Sequence, residues 1–351
     1  MKIGTAKSEP GKTTTGWLEL TELPTGGVER IPVCITEGEK DGPTLWVTGA
    51  IHGDEVTGIG VAQDFMTDDI AENLRGNVVC IPILNPSGVR TEMRNSYYHD
   101  EDPNRNFPYG SGEQNCPQTV QVLINERIFE EFARTADALV SLHQGWVNES
   151  MYTIVERVRY GEERSRDEAE QLADETLELA EALGLPIIHE YEVGVQEEYG
   201  LQSSFECAAV NAASVPAVTA ELGSPHVIED KHLEAAIEGI RNIMCVLSML
   251  PGEPCETEAP KSPVDYPVKR VDGPVTDVPG IVRHRVDVGD VVVTGDKIAD
   301  ITTPHGKVKT TIETRKDGYI LGRRQGIATY ENDILVSMAA RDDSELVTES
   351  T

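Results

Sequence analysis

The first two-thirds of the chain alternate between short apolar runs and segments whose apolar residues recur at helical spacing. The apolar runs have the length and composition of buried strands and lie at 43–47, 77–84, 138–142 and 216–222. Helical spacing is found at about 54–72, 117–134, 165–183 and 230–250. Before them, residues 16–34 alternate apolar and polar around a turn at 24–27, which predicts a hairpin. The alternation predicts an α/β domain with a mostly parallel or mixed sheet.

Three of the predicted helices carry residues typical of helix ends. Pro117 suits the first position of its helix, where a missing N–H costs nothing. Asp230 is predicted to cap the helix that follows it. The acidic helix that begins near Ser165 is predicted to end at Gly184 and Pro186.

The pattern changes after residue 250. Five prolines and several acidic residues at 251–267 indicate a linker. Short β-type runs separated by Gly-Asp turns follow, and helical spacing disappears. We therefore predict an α/β domain over 1–252, a linker over 253–270 and an all-β domain over 271–351.

The chain is strongly acidic, with 61 acidic against 30 basic residues and a formal net charge of −31. Such a surface repels phosphate backbones, so no nucleic acid is expected as a partner. The acids are spread through helices and loops, which favours adaptation to a cytosol of high salt, a halophilic protein. Attraction of a cationic substrate is the competing interpretation.

Neither the N-terminus nor any later segment resembles a targeting or membrane segment. The first residues lack an apolar stretch and no apolar run approaches the length of a membrane span, so we expect a cytoplasmic protein with no membrane partner. No CxxC pair occurs, so the cysteines are predicted to be reduced thiols. The six positions are Cys34, Cys80, Cys116, Cys207, Cys245 and Cys255.

Residues 48–58 (TGAIHGDEVTG) are the centre of the predicted chemistry. They follow one predicted strand and precede a helix, at the sheet edge where α/β proteins bind ligands. His52 and Glu55, three residues apart, can direct a nitrogen and an oxygen ligand at one point. His143 follows another predicted strand and is the best third ligand. Two histidines and one glutamate leave one position open, which is typical of catalytic zinc.

Further polar residues lie where a substrate would be held. Glu221 ends the strand predicted at 216–222 and is a candidate general base. Asn104 and Arg105, in the long connection between residues 85 and 115, suit recognition of a substrate carboxylate. Arg94, in the same connection, is placed to stabilise an oxyanion. His226, close to Glu221 in sequence, is the remaining histidine to follow.

Five strings in order carry a resemblance to a known family. They are GAIHGDE, NPSGVRTEMRNS, DPNRNFP, SLHQG and TAELG. The sequence resembles the succinylglutamate desuccinylase/aspartoacylase family of the zinc carboxypeptidase-like superfamily, from about residue 43 to the end. The resemblance implies a mixed sheet flanked by helices, followed by a C-terminal all-β domain that resembles a barrel-sandwich hybrid.

The resemblance also implies a role for each candidate residue. The roles are zinc binding for His52, Glu55 and His143, proton transfer for Glu221, carboxylate binding for Asn104 and Arg105, and polarisation of the scissile carbonyl for Arg94. One departure is that acids at 100–102 precede Asn104, where relatives often have an apolar residue. Acids at these positions are expected to alter which end of a substrate is accepted.

We therefore expect a zinc-dependent amidohydrolase with one zinc ion per chain. It would cleave an N-acyl group from a small amino-acid-like substrate. One alternative is a zinc carboxypeptidase acting on C-terminal peptide bonds. Another is a non-catalytic binding or carrier protein, because the β-domain resembles lipoyl and biotinyl carriers and shows Lys316 in a turn. A homo-oligomer is left open.

Overall fold

A computed structural model describes residues 1–108, 119–324 and 326–350. The strands are β1 (Lys2–Ile3), β2 (Ala6–Lys7), β3 (Lys12–Glu22), β4 (Val28–Glu37), β5 (Lys40–Gly49), β6 (Arg75–Ile81), β7 (Ala138–His143), β8 (Met151–Val155), β9 (Val158–Tyr160), β10 (Ile187–His189), β11 (Ala217–Leu222), β12 (Val268–Asp272), β13 (Gly280–His284), β14 (Val291–Val292), β15 (Lys297–Thr302), β16 (Val308–Glu313), β17 (Gly318–Arg323), β18 (Ala328–Thr329), β19 (Val336–Arg341) and β20 (Val347–Glu349). The helices are α1 (Thr57–Asp64), α2 (Asp68–Ala71), α3 (Pro86–Thr91), α4 (Val120–Thr135), α5 (Arg166–Leu183), α6 (Val193–Glu198), α7 (Phe205–Asn211) and α8 (Asp230–Val246).

A mixed sheet forms the centre of the molecule. Its strand order is β14-β17-β19-β12-β10-β8-β11-β7-β5-β6-β4-β3. Strands β5, β7 and β11 run parallel to one another, and β8 is antiparallel to β11. Every residue of β7 and β11 is buried. These strands place the sequence-predicted residues at a common edge.

Two hydrophobic clusters cover the two faces of this sheet. Alternate residues of β5 divide between them, with Trp46 in one cluster and Leu45 and Val47 in the other. Helices α4 and α7 contribute to the first cluster, and α1 and α8 to the second. Burial on both faces explains why the strands read as continuous apolar runs.

The opening hairpin is confirmed as β3 and β4, whereas the range predicted as one helix at 54–72 is helical but not continuous. Two helices, α1 and α2, occupy that range instead of one, because Thr67 between them is extended (φ −130°, ψ 150°). The break places the Asp68 carboxylate where it accepts a 2.8 Å hydrogen bond from the Thr13 backbone N–H on β3. Hydrophobic spacing continues across this break and gave no sign of it.

The predicted helix ends have different outcomes. Helix α5 is capped by Ser165 and ends at Gly184, whose φ is 78°. Asp230 as a cap is wrong, because Glu229 occupies the cap position and Asp230 already lies in the first turn of α8. Pro117 lies outside the described residues. Helix α4 begins within them at Val120.

The C-terminal part is an antiparallel β region, so the predicted fold class is confirmed. Strands β16, β15, β13 and β18 form a separate four-stranded sheet. Strand β12 joins the central sheet beside β10 and starts at Val268, within the predicted linker. The division into domains stays a prediction.

Cys116 lies outside the described residues, whereas the other five cysteines are free thiols. In the part of the chain that is described, no helix has the length and apolar character needed to cross a membrane.

Candidate active site

The carboxyl ends of β5, β7 and β11 meet at one edge of the central sheet. His143 is the last residue of β7 and pairs with Glu221 on β11. His52 and Glu55 lie in the turn between β5 and α1. This turn contacts α3 so closely that a Cβ on Gly53 would lie 1.9 Å from the Gly88 carbonyl carbon. Glycine is therefore required there to bring the chain past α3.

Three buried side chains form a compact set of metal ligands. The Glu55 carboxylate lies between two imidazoles, with Oε1 2.6 Å from His52 Nδ1 and Oε2 3.1 Å from His143 Nδ1. The three ligand atoms all lie within 4.8 Å of one another. Two nitrogen donors and one carboxylate with a remaining open position match the donor set of catalytic zinc. These residues therefore fit a zinc ion.

Each imidazole is held from behind by a second carboxylate. Asp102 Oδ1 lies 3.2 Å from His52 Nε2, and Glu206 Oε1 lies 2.9 Å from His143 Nε2. Such outer carboxylates fix the orientation of metal-binding histidines. Asp102 was noticed in the sequence only as an acidic departure, and Glu206 was missed because it lies on α7, far from every candidate motif.

These contacts shift the pKa values of the groups involved. Burial alone would raise the pKa of Glu206, but contacts with His143, Ser141 and Asn104 lower it to about 2. Burial would likewise lower the pKa of His143, but the flanking carboxylates of Glu55 and Glu206 raise it well above its usual value. The two flanking carboxylates therefore favour the protonated form of His143 in the metal-free site.

Asn104 and Arg105 line the cavity, but both are engaged by the protein. Asn104 Nδ2 donates to Glu206 Oε2 at 3.0 Å, and Asn104 Oδ1 accepts from the Phe205 N–H at 2.7 Å. Arg105 Nε donates to the Tyr199 carbonyl at 2.9 Å. The Asn104 side chain thus links its loop to α7, a connection that the sequence did not predict.

Arg94 and Glu221 face the metal ligands from two sides. Arg94 Nη1 donates to Glu55 Oε1 and Nη2 to Asp102 Oδ2, each at 3.3 Å. Glu221 Oε2 is buried and has no hydrogen-bond partner within the described chain. Burial raises the pKa of Glu221, and the nearby Glu55 carboxylate adds to the increase, while His143 opposes it. Glu221 therefore keeps one oxygen available to a ligand.

All seven predicted site residues line one cavity of about 570 Å³. Other polar residues of its wall were not predicted, among them Glu149, Tyr152, Glu156, Glu190, Arg270 and Arg324. Arg270 lies on β12 and Arg324 directly after β17, so the C-terminal region contributes to the cavity. His226 is exposed and lies 3.9 Å from Asp54, outside the residues that line the cavity.

Known proteins are similar to this chain over most of its length. N-alpha-acetyl-L-2,4-diaminobutyric acid deacetylase of Halomonas elongata is 26% identical over 321 residues, which are 89% of this chain and 86% of the relative. A succinylglutamate desuccinylase/aspartoacylase from Rhodobacter sphaeroides has a TM-score of 0.75 at 19% identity, covering 94% of this chain and 96% of that one. The product-bound ectoine utilization protein EutE (DoeB) from Ruegeria pomeroyi also has a TM-score of 0.75 at 19% identity, covering 93% and 94%. These two structures share the fold.

The family model for the succinylglutamate desuccinylase/aspartoacylase catalytic domain matches residues 41–247. This range holds the three metal-ligand candidates, Glu221 and the carboxylates behind the histidines. Since the match spans more than half of the 351 residues, this chain belongs to the succinylglutamate desuccinylase/aspartoacylase family.

Proposed function

We propose that this protein is a zinc-dependent amidohydrolase that removes an N-acyl group from a small amino acid. The observation that carries the proposal is the buried Glu221 Oε2, which has no hydrogen-bond partner among the described residues and lies in the cavity that also holds His52, Glu55 and His143. A deacylase needs both parts, a site for a Lewis acid and a base beside it. The Halomonas elongata relative is named for a reaction of this class.

His52, Glu55 and His143 are the residues that would hold the ion. When bound, zinc polarises a carbonyl and lowers the pKa of water. Asp102 and Glu206 keep the two imidazoles in the orientation that directs each Nδ1 toward Glu55, where the ion would be held. Burial of all three ligands limits their contact with bulk water, which strengthens each electrostatic contact in the site.

Glu221 is proposed to accept a proton from the attacking water and to deliver it to the leaving amine. The raised pKa of Glu221 suits this role, because the carboxyl group must hold the proton between these two steps. The Arg94 guanidinium is proposed to stabilise the negative charge that develops on the scissile carbonyl. Arg105, whose guanidinium lines the same cavity, is proposed to bind the substrate carboxylate, with Asn104 holding the loop in place.

The test measures zinc content and hydrolysis of N-acyl amino acids in wild type and Glu221→Gln. The panel begins with N-alpha-acetyl-L-2,4-diaminobutyrate and includes N-acetyl-aspartate and N-succinyl-glutamate. We expect Glu221→Gln to bind zinc like wild type and to lose about 10²–10⁴-fold in kcat, the usual contribution of a general base. Glu229→Gln, an exposed glutamate at the start of α8 without a side-chain cap bond, is the matched control.

Three outcomes would overturn the proposal. If zinc binds but only C-terminal peptide bonds are cleaved, the protein is a carboxypeptidase. If the protein binds no metal, or if Glu221→Gln retains the wild-type kcat, the assigned chemistry is wrong.

A further inference from the structure

Glu156 is a buried carboxylate in the cavity wall that the proposed chemistry does not use. Its exposed fraction is 3%, and it lines the cavity. Within the described residues its one hydrogen bond is to Gln196 Nε2, at 3.5 Å from Oε2, and no cationic group lies within ion-pair distance. Oε1 has no protein partner among these residues. A buried carboxylate without a cation is costly to a fold.

The position of Glu156 follows from the register of β8. Tyr152 on β8 pairs with Glu221 on β11, and Glu156 comes four residues later. Tyr152, Ile154 and Glu156 alternate along the strand direction, so they face the same side and all line the cavity. Four residues of extended chain span about 13 Å. Glu156 thus lies farther along the cavity wall than the Tyr152–Glu221 pair, near the Glu190 and Glu206 carboxylates.

The neighbouring carboxylates are already satisfied by the protein. Glu190 accepts from the Tyr191 N–H at 2.8 Å and from Arg270 Nη1 at 3.2 Å. Glu206 is held by His143, Ser141 and Asn104. Among the described residues, Glu156 keeps an oxygen without a hydrogen-bond partner, unlike Glu190 and Glu206. Burial, followed by the charges of Glu190 and Glu206, raises its pKa well above the usual value, although the Arg159 and Arg270 charges oppose the increase. A cation in direct contact with Glu156 would relieve the remaining cost.

We propose that Glu156, supported by Glu190, binds the ammonium group of the substrate side chain. The preferred substrates would then be N-acyl amino acids whose side chain ends in a primary amine. An ammonium carries three donors and one compact charge, which matches a free carboxylate oxygen with a second carboxylate behind it. The inference rests on the proposed deacylase function, since it assigns the far end of the same substrate.

Hydrolysis of paired substrates tests the proposal first. The pairs are the Nα-acetyl derivatives of 2,4-diaminobutyrate and norvaline, and of ornithine and norleucine, which differ chiefly by an ammonium in place of a methyl group. We expect kcat/KM to favour the ammonium member by about 10- to 100-fold, as for hydrogen bonds to charged groups. Equal kcat/KM within both pairs would overturn the proposal, and this comparison needs no variant.

Glu156→Gln tests the assigned residue. We expect its ratio of kcat/KM between paired substrates to fall about tenfold or more, through loss of the preference for the ammonium member of each pair. Glu197→Gln is the matched control, because Glu197 is exposed on α6 next to Gln196. This substitution removes the same charge as Glu156→Gln, but outside the cavity. An unchanged ratio in Glu156→Gln, with thermal unfolding and zinc content like wild type, would overturn the assignment.

Binding of free amino acids to the metal-free protein separates this inference from the proposed function. Calorimetry is expected to give tighter binding of ornithine than of norleucine, and Glu156→Gln is expected to remove the difference. If no amide is hydrolysed while this difference is present, the deacylase proposal fails and the ammonium site stands. If amides are hydrolysed but ornithine and norleucine bind equally, the ammonium site is wrong and the deacylase proposal stands.

Discussion

Replacement of Glu206 tests whether the outer carboxylates control the metal site. Glu206 Oε1 accepts from Ser141 Oγ at 2.5 Å and lies 2.9 Å from His143 Nε2, while Oε2 accepts from Asn104 Nδ2 at 3.0 Å. All of its partners in the zinc-bound state are donors. In Glu206→Gln, one side-chain oxygen remains to accept hydrogen bonds. The amide NH₂ group that replaces the other oxygen then faces a hydrogen-bond donor and cannot bond to it. Glu206→Ala removes every contact.

The expected loss can be worked from these contacts. Removing the partner of a metal-binding histidine lowers metal affinity by about 10- to 100-fold, which equals about 1.4–2.8 kcal/mol. We expect Glu206→Gln near the lower limit, because the amide oxygen can still accept from His143. Glu206→Ala is expected near the upper limit, because the 3.1 Å contact with Ser141 Oγ is then the remaining partner of His143 Nε2 among the described residues.

Competition between the protein and a chromophoric chelator measures the zinc dissociation constant of each variant. Glu131→Gln is the matched control, since Glu131 is also buried and ion-paired, with Arg127 and Arg134 on α4, but does not line the cavity. We expect this control to lower stability and to leave zinc affinity unchanged. Wild-type zinc affinity in Glu206→Ala, or an equal loss in Glu131→Gln, would refute the reasoning.

Two further predictions concern protonation. The flanking carboxylates overcome the effect of burial and raise the pKa of His143 in the metal-free protein. Zinc binding at neutral pH should therefore release a proton. The apparent zinc affinity should rise with pH, by at most about tenfold per pH unit. Calorimetry in buffers of different ionisation enthalpy measures this release, and identical enthalpies would contradict it. Asp342→Asn should lower the free energy of unfolding at pH 7 by about 3–5 kcal/mol, because it leaves Arg157, 1% exposed, without its ion-pair partner. Burial would raise the pKa of Asp342, but Ser344, His189 and Arg157 lower it. The stability that ionised Asp342 contributes is therefore complete above the ordinary carboxyl pKa of about 3.9 and is lost progressively as the pH falls below that value. Urea denaturation should therefore show a smaller difference in unfolding free energy between variant and wild type at pH 3 than at pH 7.

The sequence predicted those parts of the site that follow directly from strand ends. His143 and Glu221 each end an apolar run, and parallel strands bring their carboxyl ends to one edge. His52 and Glu55 follow a third run in the same way. Local spacing and the rule for parallel sheets were therefore sufficient to bring these four residues together.

The residues that were missed depend on contacts between distant segments. Glu206 reaches His143 because α7 packs across the sheet, 63 positions along the chain. Glu156 was not singled out from the sequence, because its chemistry depends on its burial and the chain is rich in acidic residues throughout. The break between α1 and α2 was also missed, because it depends on a contact with β3.

The C-terminal region is best understood as part of the cavity wall. Strand β12 lies beside β10, and Arg270 on β12 donates to Glu190 Oε2 at 3.2 Å. Arg270 also raises the positive charge at the end of the cavity where three carboxylates converge, which limits the repulsion among them. Without β12, Glu190 would lose this partner and compete with Glu156 for any bound cation. The selectivity that we assign to Glu156 therefore depends on a residue supplied by the β region, although the metal ligands all come from the α/β part of the chain.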